Sequence, residues 1–169
     1  HLDNFKKINI DGLEYDLNDN GVLEFDKIHE IPELNDSQLD NIVDLINKSE
    51  RPILSVGQGV NDCSKELLEF VEKANIPVTT TLHSLGSFDE RHPLALNMIG
   101  MHGHPTPNFM IQQADLVLAV GSRFDDRTVG KLTTFALNAK DAEKKGKGGI
   151  VHVDIRLTEK NRVVKVTEF

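Results

Sequence analysis

The sequence predicts an open, doubly wound α/β fold around a parallel sheet, on three observations. Four short apolar runs, at residues 53–56, 78–82, 116–120 and 150–155, alternate with stretches of helical period. Two of them, 53–56 and 116–120, are apolar at nearly every position, as strands covered by helices on both faces must be. Each run also ends in a polar or glycine-bearing cluster, which is where open α/β sheets bind ligands.

Residues 1–34 stand apart from that alternation. They are rich in Asp and Asn, and offer only short extended candidates at 7–10 and 22–25, with turn signals at Asp11-Gly12 and Asn20-Gly21. We read them as an acidic arm or inter-domain linker that gains order by packing on something else, and residues 35–169 as the domain proper. From Asn35 the pattern sharpens. Asn35 or Asp36 is placed to cap a helix whose Leu39, Ile42, Val43 and Ile46 fall on one face. Pro52 opens the first strand, which stops at Gly57-Gln58-Gly59. Asn61 or Asp62 can then start a second helix, with Leu67, Leu68, Val71 and Ala74 inward. Pro77 opens the second strand, rich in β-branched residues, and a long Gly- and Pro-dotted loop follows from His83 to Pro105. A helical stretch to about Ala114 leads into the third strand. A last helix near 133–143 ends at the Lys- and Gly-rich stretch 144–149, before the fourth strand.

Composition excludes several function classes. Residues 1–50 carry 13 Asp and Glu against 4 Lys and Arg, leaving 14 against 15 in the rest of the 169-residue chain. No basic stripe exists to displace phosphate counterions, so nucleic acid is not an expected partner. No run approaches the roughly 18 apolar residues of a membrane span, and no signal-peptide pattern opens the chain. The single Cys63 cannot form an internal disulfide. Because the chain begins at His1 and not at Met, an upstream piece is expected.

The strand ends carry the candidate chemistry. Gly57 and Gly59 sit beside a helix start, where free N–H groups favour an anion; a tight turn without ligand explains the same GxG pattern. Asp154, closing the fourth strand, reads equally as a ribose-hydroxyl acceptor or as the cap of the next turn. In Gly121-Ser122-Arg123-Phe124-Asp125-Asp126-Arg127 two arginines flank two aspartates, so the loop can form internal ion pairs or offer Arg123 to a phosphate. One such loop supplies too few ligands for Mg²⁺. His102 and His104, with His83 and His92, lack the Cys, HExxH or carboxylate spacing of a zinc site, and no GxSxG elbow supports a hydrolase. Gly100 and Gly103 instead let a ligand approach the backbone.

Taken in order, RPILSVGQG at 51–59, IPVTTTL at 76–82, LGSF at 85–88, GMHG at 100–103, AVGSRFDDR at 119–127 and IVHVD at 150–154 resemble the central domain of acetohydroxyacid (acetolactate) synthase catalytic subunits. The resemblance covers about residues 35–165, and the stretch 141–149 resembles the fungal mitochondrial form. It implies a Rossmann-like central domain with six parallel strands that holds an extended FAD, structural more than redox in role. The intact three-domain enzyme would use thiamine diphosphate and Mg²⁺ to decarboxylate pyruvate and join the fragment to a second 2-oxoacid, in branched-chain amino-acid synthesis. By motif, the resemblance places Gly57, Gly59, Thr81 and Leu82 beside the flavin cofactor. Gly100, Met101, His102 and Gly103 would lie along the flavin and ribityl region. Gly121, Ser122, Arg123 and Asp125 would meet the phosphate and ribityl part, with Asp154 and Ile155 at the adenosine end. Met101, Asp126 and Arg127 resemble substrate-channel positions. The family's FAD-contacting Arg upstream of the first helix has no counterpart in residues 24–34, where His29 is nearest by spacing, and His83 replaces a usual Met or Gln. The family's catalytic Glu and its diphosphate–Mg²⁺ motif belong to flanking domains, so this stretch alone is expected to be inactive. Its implied partners are those flanking catalytic domains, a second copy of the chain and a regulatory subunit. Its implied location is mitochondrial if fungal, otherwise cytoplasmic or plastid, and not secreted. Another thiamine-dependent decarboxylase or oxidase, or a non-catalytic nucleotide module, is the alternative.

Overall fold

A computed structural model describes residues 7–10, 13–16 and 35–169. In the arm, β1 (Lys7–Ile10) and β2 (Leu13–Asp16) pair antiparallel with Ile10 opposite Leu13. The predicted turn at Asp11-Gly12 lies outside the described residues. The second extended candidate, 22–25, and His29 lie outside the described residues.

The domain proper is a five-stranded, wholly parallel sheet in the order β5-β4-β3-β6-β7, formed by β3 (Pro52–Val56), β4 (Val78–Thr80), β5 (Ala95–Met98), β6 (Leu116–Val120) and β7 (Gly149–Val153). The predicted open parallel α/β class is therefore observed, with one strand more than the apolar runs announced. The missed strand, β5, is an edge strand of half-buried residues, Ala95-Leu96-Asn97-Met98, with no β-branched run to mark it. It bulges: Val78 opposes Ala95 and Thr80 opposes Met98, so one extra residue is accommodated while Asn97 adopts φ +63°. Thr79 Oγ1 holds the bulge by donating to the Asn97 carbonyl at 2.7 Å. The implied sixth strand is present only in outline. Residues 167 and 168 run beside β7, with Thr167 N donating to Ile150 O at 2.7 Å and His152 N to Glu168 O at 3.0 Å, but only one parallel bridge forms.

Alternation along the strands divides the core into two layers. Ile53, Val117, Ala119 and Ile150 face one side, against α3 (Pro105–Gln113), the short α4 (Asp126–Val129) and α5 (Leu137–Glu143). Leu54, Val56, Leu116, Leu118 and Val151 face the other, against α1 (Asp36–Lys48) and α2 (Ser64–Ala74). Asn35 caps α1 by accepting from Ser37 N at 2.9 Å. Three expected inward positions are not inward. Leu39 and Val43 of α1 and Leu68 of α2 are exposed, because α1 docks through Ile42, Leu45 and Ile46, and α2 through Leu67, Val71 and Ala74. Helix α2 starts at Ser64, not at Asn61 or Asp62, which the 3₁₀ turn Gln58–Val60 and its exit occupy. The last helix is likewise shorter than the predicted 133–143. A 3₁₀ turn, Leu132–Thr134, precedes buried Phe135 and Ala136, the latter at φ +49°, and only then does α5 begin.

The strand order reverses between β3 and β6, and there the backbones of three glycines meet. A Cβ on Gly57 would lie 2.2 Å from Gly121 O, one on Gly59 2.7 Å from Gly121 Cα, and one on Gly121 2.6 Å from Gly59 Cα. Gly57 has an ordinary extended backbone (φ −112°), so space and not dihedral freedom demands glycine. Gly57→Ala is expected to destabilise the fold by about 3 kcal/mol or more, an overpacking that no flexible side chain can relieve. Gly146→Ala, at φ +64° but in open space, is the comparison and should cost only about 1–2 kcal/mol. Urea unfolding of both variants checks this; equal losses would refute the contact as the constraint.

Candidate functional site

Parallel strands put all five carboxyl ends on one edge, so every cluster singled out in the sequence falls in a single row. Following the strand order, the row reads Gly100–Gly103 after β5, Thr81-Leu82 after β4, Gly57–Gly59 after β3, Gly121–Arg127 after β6 and Asp154-Ile155 after β7. Four inter-strand gaps make it about 19 Å long.

Half of the row lines one cleft of about 740 Å³. Gly59, Gly121, Arg123, Asp154 and Ile155, all singled out in the sequence, line it. Its other wall was not anticipated. Gln38, Leu39 and Ile42 of α1 contribute, with Arg156, Leu157, Lys160 and Phe169 from the chain after β7. Leu39 was assignable only to the inward stripe of α1; its 38% exposure places it at the cleft mouth. Gln38 Nε2 donates to the Phe169 carbonyl at 2.8 Å and so ties the two walls together. A second hollow of about 790 Å³, between Ser64, Leu68 and the loop 85–91, takes no residue from the strand ends.

The Arg123 loop is held open by its neighbours. Gly121 (φ +59°) and Phe124 (φ +52°) both turn left-handed, which buries Ser122 and Phe124 and leaves Arg123 between them exposed in the cleft. Buried His152 on β7 anchors both sides. Its Nε2 lies 2.7 Å from the Ser122 carbonyl, which can only accept, so Nε2 carries the proton. Its ring meets Phe124 edge-on at 5.0 Å and Phe169 at 5.3 Å. The ion-pair expectation for this loop is met only loosely. Arg127 Nε is 3.8 Å from Asp126 Oδ2, with both side chains exposed. Asp125 is instead the N-cap of α4, accepting from Thr128 N at 3.0 Å. Arg123 has no carboxylate partner among the described residues and remains available to an anion.

The remaining candidates divide by what is already engaged. The Thr81 hydroxyl lies 3.1 Å from Ser84 Oγ in a capping box, so Thr81 offers the row its backbone, while Leu82 beside it is 63% exposed. Asp154 Oδ1 accepts from Arg156 N at 2.9 Å, the turn-capping role, and the residue also lines the cleft. Gly100–Gly103 form a strap packed on α4, where Met101 N donates to the Arg127 carbonyl at 2.7 Å and a Cβ on Gly100 would lie 2.6 Å from the same oxygen. Met101 is 66% exposed, and His102 is exposed beside it. Arg127 thus reaches the strap through its backbone, and Asp126 and Arg127 place their side chains in solvent. Among the described residues no three His, Cys, Asp or Glu converge to hold a metal.

Burial pushes the His152 pKa below its ordinary value of 6.5, overcoming the opposing pull of the Ser122 hydrogen bond and the nearby Asp154 and Glu159 charges. The unfolded chain therefore takes up a proton below pH 6.5 that the folded chain refuses. Stability is full above 6.5 and falls as pH drops from there toward the depressed folded value. Asp89, held at about 2 by its hydrogen bonds from Arg91, loses its contribution only below 3.8 and does not interfere. His152→Gln, which keeps a donor near Ser122, should flatten the fall in denaturation midpoint between pH 7 and pH 5. An unchanged slope would show that His152 is not the titrating group.

Residues 39–168 match the family model of the thiamine pyrophosphate enzyme central domain. The mitochondrial acetolactate synthase catalytic subunit of Saccharomyces cerevisiae is 45% identical over 130 residues, 75% of this chain and 19% of that protein. The acetolactate synthase isozyme 1 large subunit of Escherichia coli is 39% identical over 132 residues, 78% of this chain and 22% of that protein. A probable chloroplastic acetolactate synthase 2 of Oryza sativa is 47% identical over 121 residues, 72% of this chain and 17% of that protein. The chain spans about a fifth of the length of these curated relatives. A five-stranded parallel sheet, its ligand-competent edge and a match that runs from α1 to the residues beside β7 lead to one assignment: the chain belongs to the thiamine pyrophosphate enzyme family, as its central domain.

Proposed function

We propose that this chain is the FAD-binding central domain of an acetolactate synthase, an enzyme that decarboxylates pyruvate and condenses the fragment with a second 2-oxoacid. The observation that carries the flavin reading is the row itself. A compact ligand needs one cluster, whereas five clusters strung over about 19 Å suit an extended, two-ended dinucleotide. The residues fit such a group chemically. The three-glycine contact lets a pyrophosphate approach bare backbone, Arg123 is an exposed guanidinium in the cleft, and Asp154 is an acceptor at the ribose end. Leu39, Ile42, Ile155 and Leu157 supply apolar surface for a ring at the β7 end. Acetolactate synthase is favoured over other thiamine-dependent enzymes by the names and identities of the relatives.

In this reading thiamine diphosphate and Mg²⁺ belong to flanking domains and supply the decarboxylation and carbon–carbon chemistry, while this domain binds and orients FAD. Met101, Asp126 and Arg127 would border the substrate channel. The wider partners would be those domains, a second copy, and a regulatory subunit such as the name "large subunit" of the bacterial relative suggests. Mitochondrial location follows if the source is fungal, as for the yeast relatives. The arm 1–34 would link this domain to its neighbour.

Titration of the chain with FAD, NAD⁺ and ADP, followed by flavin fluorescence and by competition, tests the ligand. FAD should bind and NAD⁺ should not displace it; preference for NAD⁺ or ADP would overturn the flavin reading. Arg123→Ala should weaken FAD about tenfold to a hundredfold through loss of a charge-assisted bond, with little change in melting temperature because Arg123 is exposed. Assayed alone with pyruvate, thiamine diphosphate and Mg²⁺, the chain should form no acetolactate; robust turnover would refute the division of labour between domains.

A further inference from the structure

The Gly100–His104 strap is held to an unusual degree by one side chain that carries none of the recognised motifs. Asn108, in the second half of the first turn of α3, directs its whole amide back onto the strap. Its Oδ1 accepts from Gly100 N at 3.0 Å, and its Nδ2 donates to Gly100 O and to His104 O, each at 2.9 Å. Both faces of the Gly100 residue's polar backbone are thereby fixed by a single planar group. Three of the other four strap N–H groups are engaged as well: Met101 N with Arg127 O, Gly103 N with Gly100 O, and His104 N with Met98 O. Among the described residues only His102 N, of the five, has no acceptor. The strap thus keeps one N–H without an acceptor, beside the exposed side chains of Met101 and His102.

Little apolar burial secures this arrangement, since Met101, His102 and His104 are all exposed. Ordering such backbone is entropically unfavourable, and a ligand that had to order it on arrival would bind more weakly. Asparagine is also a poor helix former next to alanine, so helix propensity does not explain its presence in α3. We infer that Asn108 is a positioning residue for the cofactor: it preorganises the strap so that His102 N and the Met101 side chain meet the bound flavin. The inference rests on the flavin reading above and extends it to a residue outside the contact row.

The test compares Asn108→Asp, Asn108→Ala and Gln112→Ala in the full chain. The aspartate keeps the shape but turns a carboxylate oxygen toward two carbonyls, while the alanine removes all three bonds without adding charge. Gln112 Oε1 accepts from Ala136 N at 2.9 Å away from the strap, so its loss measures the purely structural effect of deleting a helix α3 side-chain bond. Both Asn108 variants should raise the FAD dissociation constant at least about tenfold, the loss of two or more preorganising bonds. The visible spectrum of the bound flavin should also move toward that of free FAD, with the ligand-free melting temperature no lower than that of Gln112→Ala. Unchanged FAD affinity, or affinity lost only in step with melting temperature as in Gln112→Ala, overturns the positioning role. Failure of both Asn108 variants to fold would do the same, since it makes Asn108 a structural residue. A parent chain that takes up no FAD overturns the flavin reading and this inference together, whereas a parent that binds FAD beside unaffected variants overturns this inference alone.

Discussion

The constraint on which the candidate site depends is the contact of backbone on backbone where β3 and β6 part company. Gly57, Gly59 and Gly121 approach so nearly that no side chain fits between them. Gly57 N donates to Val120 O at 2.9 Å and Gly59 N to Gly121 O at 3.1 Å, while Gly121 N reaches Val153 O at 2.8 Å. One run of three bonds thereby links the ends of β3, β6 and β7 just past the sheet, where regular pairing has stopped. The cleft floor is bare main chain as a result, and the connections to α2 and to Arg123 leave in opposite directions. A sheet whose order reverses at any other strand pair would place these loops apart.

Once the floor is set, polarity inside the core does the rest of the positioning. His152 is buried in the sheet, and its burial is tolerable because Nε2 finds the Ser122 carbonyl and the ring finds Phe124 and Phe169. The Nδ1 atom has no partner, so the neutral ring is the form the core accepts. That single ring converts the loop after β6 from a polar linker into a fixed edge of the cleft. At the opposite, amino-terminal end of the sheet, Asp115 has an equivalent role. Its two carboxylate oxygens accept from Glu50 N at 2.8 Å and Arg51 N at 2.9 Å, joining the entry to β3 to the entry to β6.

What could be read from the sequence follows from which forces are local. The apolar runs of β3 and β6 declare themselves because both of their faces are buried. Strand β5 does not, since an edge strand with a bulge needs its partner Thr79, not its own composition, to hold Asn97 left-handed. The motifs located the strand ends and hence the row, including Gly59, Gly121, Arg123, Asp154 and Ile155. They were silent about the second wall. Leu39 and Ile42 share the helical period of core residues, and nothing in that period distinguishes a side chain facing a core from one facing a cleft. Asp125 and Thr81 show the converse limit, because a residue type suited to a ligand is equally suited to cap the turn on which it sits.

The row also has a direction. Its β5 end is built of Gly100, Met101, His102 and Gly103, with no carboxylate, lysine or arginine among them, and with every backbone N–H except that of His102 already engaged by the protein. Its β7 end gathers Arg123, Asp154, Arg156 and Lys160 within one cleft, beside the apolar Leu39, Ile155 and Leu157. A ligand laid along the edge therefore meets uncharged, polarisable surface at one end and charged hydrogen-bonding groups from the middle to the other. On the proposed reading this asymmetry orients the dinucleotide, with its tricyclic ring over the strap and its phosphates and ribose toward Arg123 and Asp154. The same asymmetry accounts for how two arginines in one loop differ in use. Arg123 points into the charged half, where a phosphate would neutralise it, whereas Arg127 lies beyond α4's first residue and touches the strap only through its carbonyl. Division of one short loop between the two halves of the edge needs Phe124 buried between them, and Phe124 is held there by His152.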